Sequence, residues 1–122
     1  VLEPLSGYLL LAQRMTADGP AFSEGWNFGP GDAGTMDVES VVKHVIAAWG
    51  AGRYIIEPDA DFHEAHLLKL DTSKARALLK WTTKMDVISA IEKSVEVYKL
   101  FGQDSESLEC AINGQIDSYS AG

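Results

Sequence analysis

Apolar positions return at helical spacing in four stretches of this chain and alternate only over short runs. From Pro4 to about Ala17, Leu5, Tyr8, Leu9, Ala12 and Met15 recur every three or four residues, the period of one face of an α-helix. Pro4 suits the first turn, where a missing N–H costs nothing, and Gly19-Pro20 stops the run. Val38, Val41, Val42, Val45, Ile46 and Trp49 trace a second helix, with Asp37 placed to cap it and Gly50 to end it. Asp71-Thr72-Ser73 offers capping residues ahead of a short helical run, Lys74 to Leu79. Asp86 caps a further helix, in which Val87, Ile88, Ile91, Val95, Tyr98 and Phe101 are expected to face a core.

Between these stretches lie three strand-like segments. Gly25 to Gly29 puts Trp26 and Phe28 on one face, Arg53 to Glu57 is β-branched, and Leu67 to Leu70 is apolar. The pattern predicts an α/β fold: a small single lobe over 1–122, with three helices or more and short strands. Its expected parts are a helix over 1–17, strand–helix–strand over 25–57, a strand and two helices over 63–101, and a weak helix or tail over 105–122. Three short strands are too few for a large central sheet, so such a lobe is expected to pack against something bigger. That the first residue is Val1 rather than Met points the same way, to a part of a longer protein.

Composition narrows the function. Ten Lys and Arg stand against eighteen Asp and Glu, a net charge of −8 that disfavours nucleic acid and anionic membrane as partners. With 46% apolar and 23% charged residues the chain reads as globular rather than disordered. One cysteine, Cys110, allows neither an internal disulfide nor a zinc thiol pair, which predicts a reducing, cytoplasmic setting. No apolar run approaches the ~20 residues of a membrane span.

Catalytic apparatus is not visible in the pattern. No glycine-rich turn of the dinucleotide-binding kind follows a predicted strand, and in Gly29-Pro30-Gly31 the proline removes a donor. None of Tyr8, Tyr54, Tyr98 and Tyr119 has a lysine four residues on, and no Gly-x-Ser-x-Gly elbow or P-loop occurs. No catalytic, cofactor-binding or metal-binding residue is therefore assigned. The densest polar cluster is His63-Glu64-Ala65-His66. A zinc-protease helix needs two residues between Glu and the second His, and here there is one. The cluster reads either as a ligand-contact loop or as an exposed polar turn. The acidic run Glu57, Asp59, Asp61, Glu64 lacks the glycine and final glutamate of a calcium loop and reads as solvated. Trp26, Phe28, Trp49 and Trp81 are expected in the core, Lys74 and Arg76 in solvent. Glu3, at the first helix's start, is either a dipole-stabilising acid or a site residue.

Four quoted stretches resemble one family. They are the opening Val1 to Ala12, Trp26-Asn27-Phe28-Gly29-Pro30, His63-Glu64-Ala65-His66 with Leu68-Lys69-Leu70-Asp71, and Asp71-x-Ser73-Lys74-Ala75 followed by Leu79-x-Trp81. Together they resemble the C-terminal part of the nucleotide-sugar dehydratases of the extended short-chain dehydrogenase/reductase family, in the branch that acts on CDP-glucose. The resemblance implies an NAD-dependent conversion of CDP-glucose to CDP-4-keto-6-deoxyglucose and water. NAD would take hydride from C4, water would leave across C5 and C6, and the hydride would return to C6. It places NAD and the proton-transfer residues in an N-terminal Rossmann domain not contained in these residues. This chain would be the substrate-binding lobe, inactive alone, with Glu3, His63, Glu64 and His66 in the wall that holds the CDP-sugar. Related thymidine-sugar enzymes carry Arg-Pro-Gly-His-Asp where this chain has Asp61-Phe62-His63-Glu64. That arginine is missing, so the resemblance leaves the diphosphate without a partner. The alternatives are a lobe of another nucleotide-sugar epimerase or dehydratase, and a freestanding non-catalytic ligand-binding or assembly module.

Overall fold

The computed structural model describes residues 1–31, 34–57 and 69–122. Helix α1 (Leu2–Asp18) runs into a 3₁₀ turn (Gly19–Phe22). Helix α2 (Val38–Trp49) follows, then a single π-helical turn (Ala75–Leu79), α3 (Val87–Leu100) and α4 (Ser105–Ala121). α2 lies against α3 and α3 against α4, while α1 packs on the 3₁₀ and π-helical turns. Among the described residues no helix is long and apolar enough to cross a membrane.

Three of the helices begin with the same device, Asp-x-x-Ser. Asp37, Asp86 and Asp104 accept the backbone N–H of Ser40, Ser89 and Ser107 at 2.8, 2.9 and 2.7 Å. Each bond satisfies one of the amides that a helix start leaves without a partner. At its other end α2 stops at Gly50, whose φ of 88° is left-handed and whose N–H returns to the carbonyl of Ile46 at 2.9 Å. Such a φ is open to glycine at no steric cost.

The best-packed cluster joins distant parts of the chain. Ala75, Leu79 and Trp81 are buried, with Leu10, Leu11, Phe22, Trp26 and Phe28 against them. Phe28 meets Trp81 edge to face at 5.0 Å between centroids and Tyr8 at 5.4 Å. Its ring lies so close to α1 that a Cβ on Gly7 would fall 2.3 Å from Phe28 Cδ1. The π-helical turn ends at Lys80, in the left-handed region at φ 59°, and the N–H of Trp81 closes back on the carbonyl of Ala75 at 3.3 Å. The left-handed residue costs on the order of 1–2 kcal/mol and swings the indole into the cluster, where its burial offsets that cost.

The expected α/β architecture is not what forms. Among the described residues the regular structure is helical and no strand pairs with another. Residues 25–29 run extended, but side chains meet their surroundings where a ladder would: Lys74 Nζ donates to the carbonyl of Gly25 at 3.2 Å. Residues 53–57 are exposed throughout, with Ile55 at 78% and Ile56 at 67%. Of the third segment only Lys69 and Leu70 are described, and they carry no strand. A period-two or β-branched run shows that a segment could pack as a strand; the ladder itself needs a neighbour's N–H and C=O groups.

Burial on the helices departs from the periodicity in the same way. On α1 the stripe Leu5, Tyr8, Leu9 and Met15 is exposed, Leu9 to 73%, and the core face is the one bearing Gly7, Leu10 and Leu11. On α3 only Val95 is buried, and Tyr98 and Phe101 stand in solvent. The chain exposes 9259 Å², against about 6,400 Å² for a freestanding globule of this mass.

Two outcomes follow for stability. Gly7→Ala forces Phe28 off α1 and should cost about 1–3 kcal/mol, read as a lowered Tm; an unchanged melt would show that the ring does not rest there. The capping carboxylates also set an acid limit. Hydrogen bonds from Ser40, Ser89 and Ser107 hold Asp37, Asp86 and Asp104 below the usual aspartate value. Groups lowered in the folded state stabilise it above their unfolded values, and that stabilisation is lost as pH falls through the folded ones. Helical circular dichroism should therefore hold near neutrality and decline below about pH 4.

Candidate functional site

The extended segment after the 3₁₀ turn is pinned at several points. The Trp26 indole donates to the carbonyl of Phe22 at 3.0 Å and stacks on the Phe22 ring at 5.7 Å. Lys74 pairs with Glu24 and sits 4.5 Å over the Trp26 ring. The hydrogen bond from Lys74, aided by its charge, holds the Glu24 carboxyl below its ordinary range. One residue on, Asn27 Nδ2 donates to the carbonyl of Asp71 at 3.1 Å. These bonds align residues 25–31 with the turn that starts at Asp71.

A hollow of about 250 Å³ opens beside that alignment, lined by Pro30, Gly31, Lys69, Asp71, Ser73 and Arg76 among others. Asp71 accepts the backbone N–H of Ser73 at 2.8 Å, and bonds from Ser73 keep its carboxyl below the usual value, with Lys69 adding a smaller attraction. The hollow thus holds one ionised carboxylate and two cationic side chains. Of the residues expected in the site, His63, Glu64 and His66 lie in 58–68, outside the described residues. Lys69, three positions after His66 in sequence, lines the hollow.

Glu3 does not line this hollow. It lines a separate groove of about 380 Å³ between α1, α3 and α4, with Leu5, Tyr98, Ile112 and Ile116. Its Oε1 accepts the backbone N–H groups of Lys84 and Met85 at 2.9 and 2.7 Å. Its Oε2 lies 3.0 Å from the Tyr119 hydroxyl, which is also 3.0 Å from Ser6 Oγ. The Ser6 hydroxyl donates to the Glu3 carbonyl at 2.7 Å and accepts the Trp81 indole N–H at 2.9 Å. Burial first, and then the Glu3 carboxylate, raise the Tyr119 hydroxyl above the usual tyrosine value. Glu3 therefore ties the start of α1 to the entry of α3 and the end of α4.

Sequence reading did not find Tyr119, Lys84 or the hollow's Arg76. Tyr119 meets Glu3 across 116 positions and Trp81 meets Ser6 across 75, separations at which no local pattern survives. Arg76 did leave a signal, a basic residue five positions after Asp71 on the short helical run, but that fits a solvent-facing side chain equally well.

NAD does not fit the described residues. Residues 29–31 are the nearest approach to a glycine turn, Pro30 offers no amide, and the next helix opens only at Val38. No three His, Cys, Asp or Glu among the described residues are grouped to hold a metal ion.

No protein-family profile matches the chain. It is similar to a CDP-glucose 4,6-dehydratase from Salmonella typhimurium strain LT2, with 38% identity over 122 residues. The match covers 99% of this chain and 34% of that relative, so the chain spans about a third of the relative's length.

The Glu3 cluster makes a direct prediction. Glu3→Ala leaves two amides and a phenol without their acceptor and should cost about 1.5–3 kcal/mol. Hydrogen exchange should quicken in the last turns of α4 before it does in α2. Equal protection of α4 in both proteins would show that Glu3 does not hold it.

Proposed function

We propose that this chain is the substrate-binding portion of an NAD-dependent CDP-glucose 4,6-dehydratase, its C-terminal part, which needs the rest of that enzyme to act. The observation that carries the reading is the 38% identity sustained over 99% of the chain while only 34% of the relative is covered. One feature of the molecule supports it. The surface is too large and too apolar for a freestanding globule, as expected of a lobe made to be covered.

In this reading NAD supplies hydride exchange at the sugar, and this chain's residues supply binding. His63, Glu64 and His66 contact the CDP-sugar: imidazole and carboxylate groups can donate to or accept from sugar hydroxyls and a cytosine edge. Glu3 serves the same wall by fixing α1 against α3 and α4, its carboxylate being already engaged with three donors. The net reaction is loss of water from CDP-glucose to give CDP-4-keto-6-deoxyglucose, made in a cytoplasmic setting.

The test is turnover with and without the remainder. The 122-residue chain mixed with NAD and CDP-glucose should give no 4-keto product and only weak CDP-glucose binding. The full-length enzyme should give product, and His63→Ala or His66→Ala in it should raise KM for CDP-glucose. Product formed by the chain alone would overturn the reading.

A further inference from the structure

We propose that the groove between α1, α3 and α4 binds a small amphipathic anion, a carboxylate on an apolar body, with the Lys93 ammonium as the anchor of its charged end. The site is separate from the hollow at Asp71 and independent of the nucleotide-sugar reading.

The lining sets the chemistry. Leu5 of α1, Val97 and Tyr98 of α3, and Ile112 and Ile116 of α4 give the wall its apolar character. The groove measures about 380 Å³, within the about 300–1,000 Å³ of sites for small organic ligands. Among the described residues Lys93 is the only lysine or arginine in the lining, and it is half-buried. No carboxylate among them pairs with its ammonium and no oxygen accepts from it. The α-amino group of Val1 adds a second positive charge in the 122-residue chain, and none where the chain is continued.

The acids that could have taken Lys93 are engaged or turned away. Glu3, the one carboxylate in the lining, already accepts from two amides and the Tyr119 hydroxyl. Glu92 and Glu96, on the same helix as Lys93, line a different hollow beside Ala48 of α2, and Glu96 accepts from Gln115 at 2.9 Å. Gln115 also donates to the Lys93 carbonyl at 2.9 Å, which ties α4 to this turn of α3. A purely apolar occupant would strip water from the ammonium and leave it without a partner. A bare anion would gain nothing from the walls. A molecule with both an apolar body and one negative charge satisfies the whole lining.

The experiment titrates octanoate, octanol and acetate into the 122-residue chain and into the full-length enzyme, following the labelled backbone amides of Ser94 and Ile116 by NMR. Octanol shares the apolar body without the charge, and acetate the charge without the body. Octanoate should shift both amides and bind about tenfold more tightly than octanol, the gain of one charge-assisted contact. Acetate should shift neither. Lys93→Met should abolish the advantage of octanoate while octanol binds as before, and Lys93→Arg should keep it. Ile116→Ala should weaken octanoate and octanol alike, several-fold. Arg53→Gln, outside the groove, should bind as wild type. Wild-type octanoate affinity in Lys93→Met, or equal affinity for octanoate and octanol, would overturn the anion anchor. Octanoate that shifts other amides but not those of Ser94 and Ile116 would lie outside the groove and overturn the site. Binding to the chain but not to the full-length enzyme would show that the rest of the protein covers the groove, and would overturn the proposal equally. So would the absence of any response. Dehydratase turnover is measured apart, and none of these outcomes bears on it.

Discussion

The contact on which the rest of the molecule depends is the Phe28 ring lying where a side chain on Gly7 would be. Because residue 7 has no Cβ, an aromatic ring can approach the α1 backbone itself and still present its edge to Trp81 and Tyr8. Three segments widely separated in sequence meet at that ring. Its position sets the course of residues 25–31, which in turn brings Asn27 to the Asp71 carbonyl and Pro30-Gly31 to the rim of the hollow. The rim of the hollow is thus shaped by close packing between α1 and one extended segment.

Trp81 carries the same arrangement to the other end of the structure. Its ring fills the cluster, and its indole N–H leaves the cluster to reach Ser6, beside the Glu3 carboxylate. One residue thereby couples an apolar core to a polar clamp, and the clamp gathers α1, α3 and α4. Buried polar groups of this kind are stabilising only when each has a partner. No buried side-chain polar atom among the described residues lacks one.

Much apolar surface remains uncovered. The outer stripe of α1, the exposed pair Ile55 and Ile56, and the groove beside Glu3 are apolar surface that a chain of this size would ordinarily bury. The buried apolar side chains are few: Ala75, Leu79, Trp81 and Val95 among the described residues.

The features legible in the sequence were those decided within a few residues. Asp37 and Asp86 announce helix starts because the serine that answers each is three positions on, and Gly50 announces an end because its own φ does the work. The quoted motifs resemble a nucleotide-sugar dehydratase, and the 38% identity to such an enzyme over 99% of the chain agrees with them. The strands were misread because a strand is completed by another segment's hydrogen bonds, and residues 53–57 have none to pair with among those described. Which stripe of α1 is buried was likewise open, since the helix has apolar residues on more than one side and its partners choose between them. Glu3 as a clamp and Arg76 as the lining of a hollow belong to the tertiary structure alone: each is defined by residues tens of positions away, and local composition carries no record of that distance.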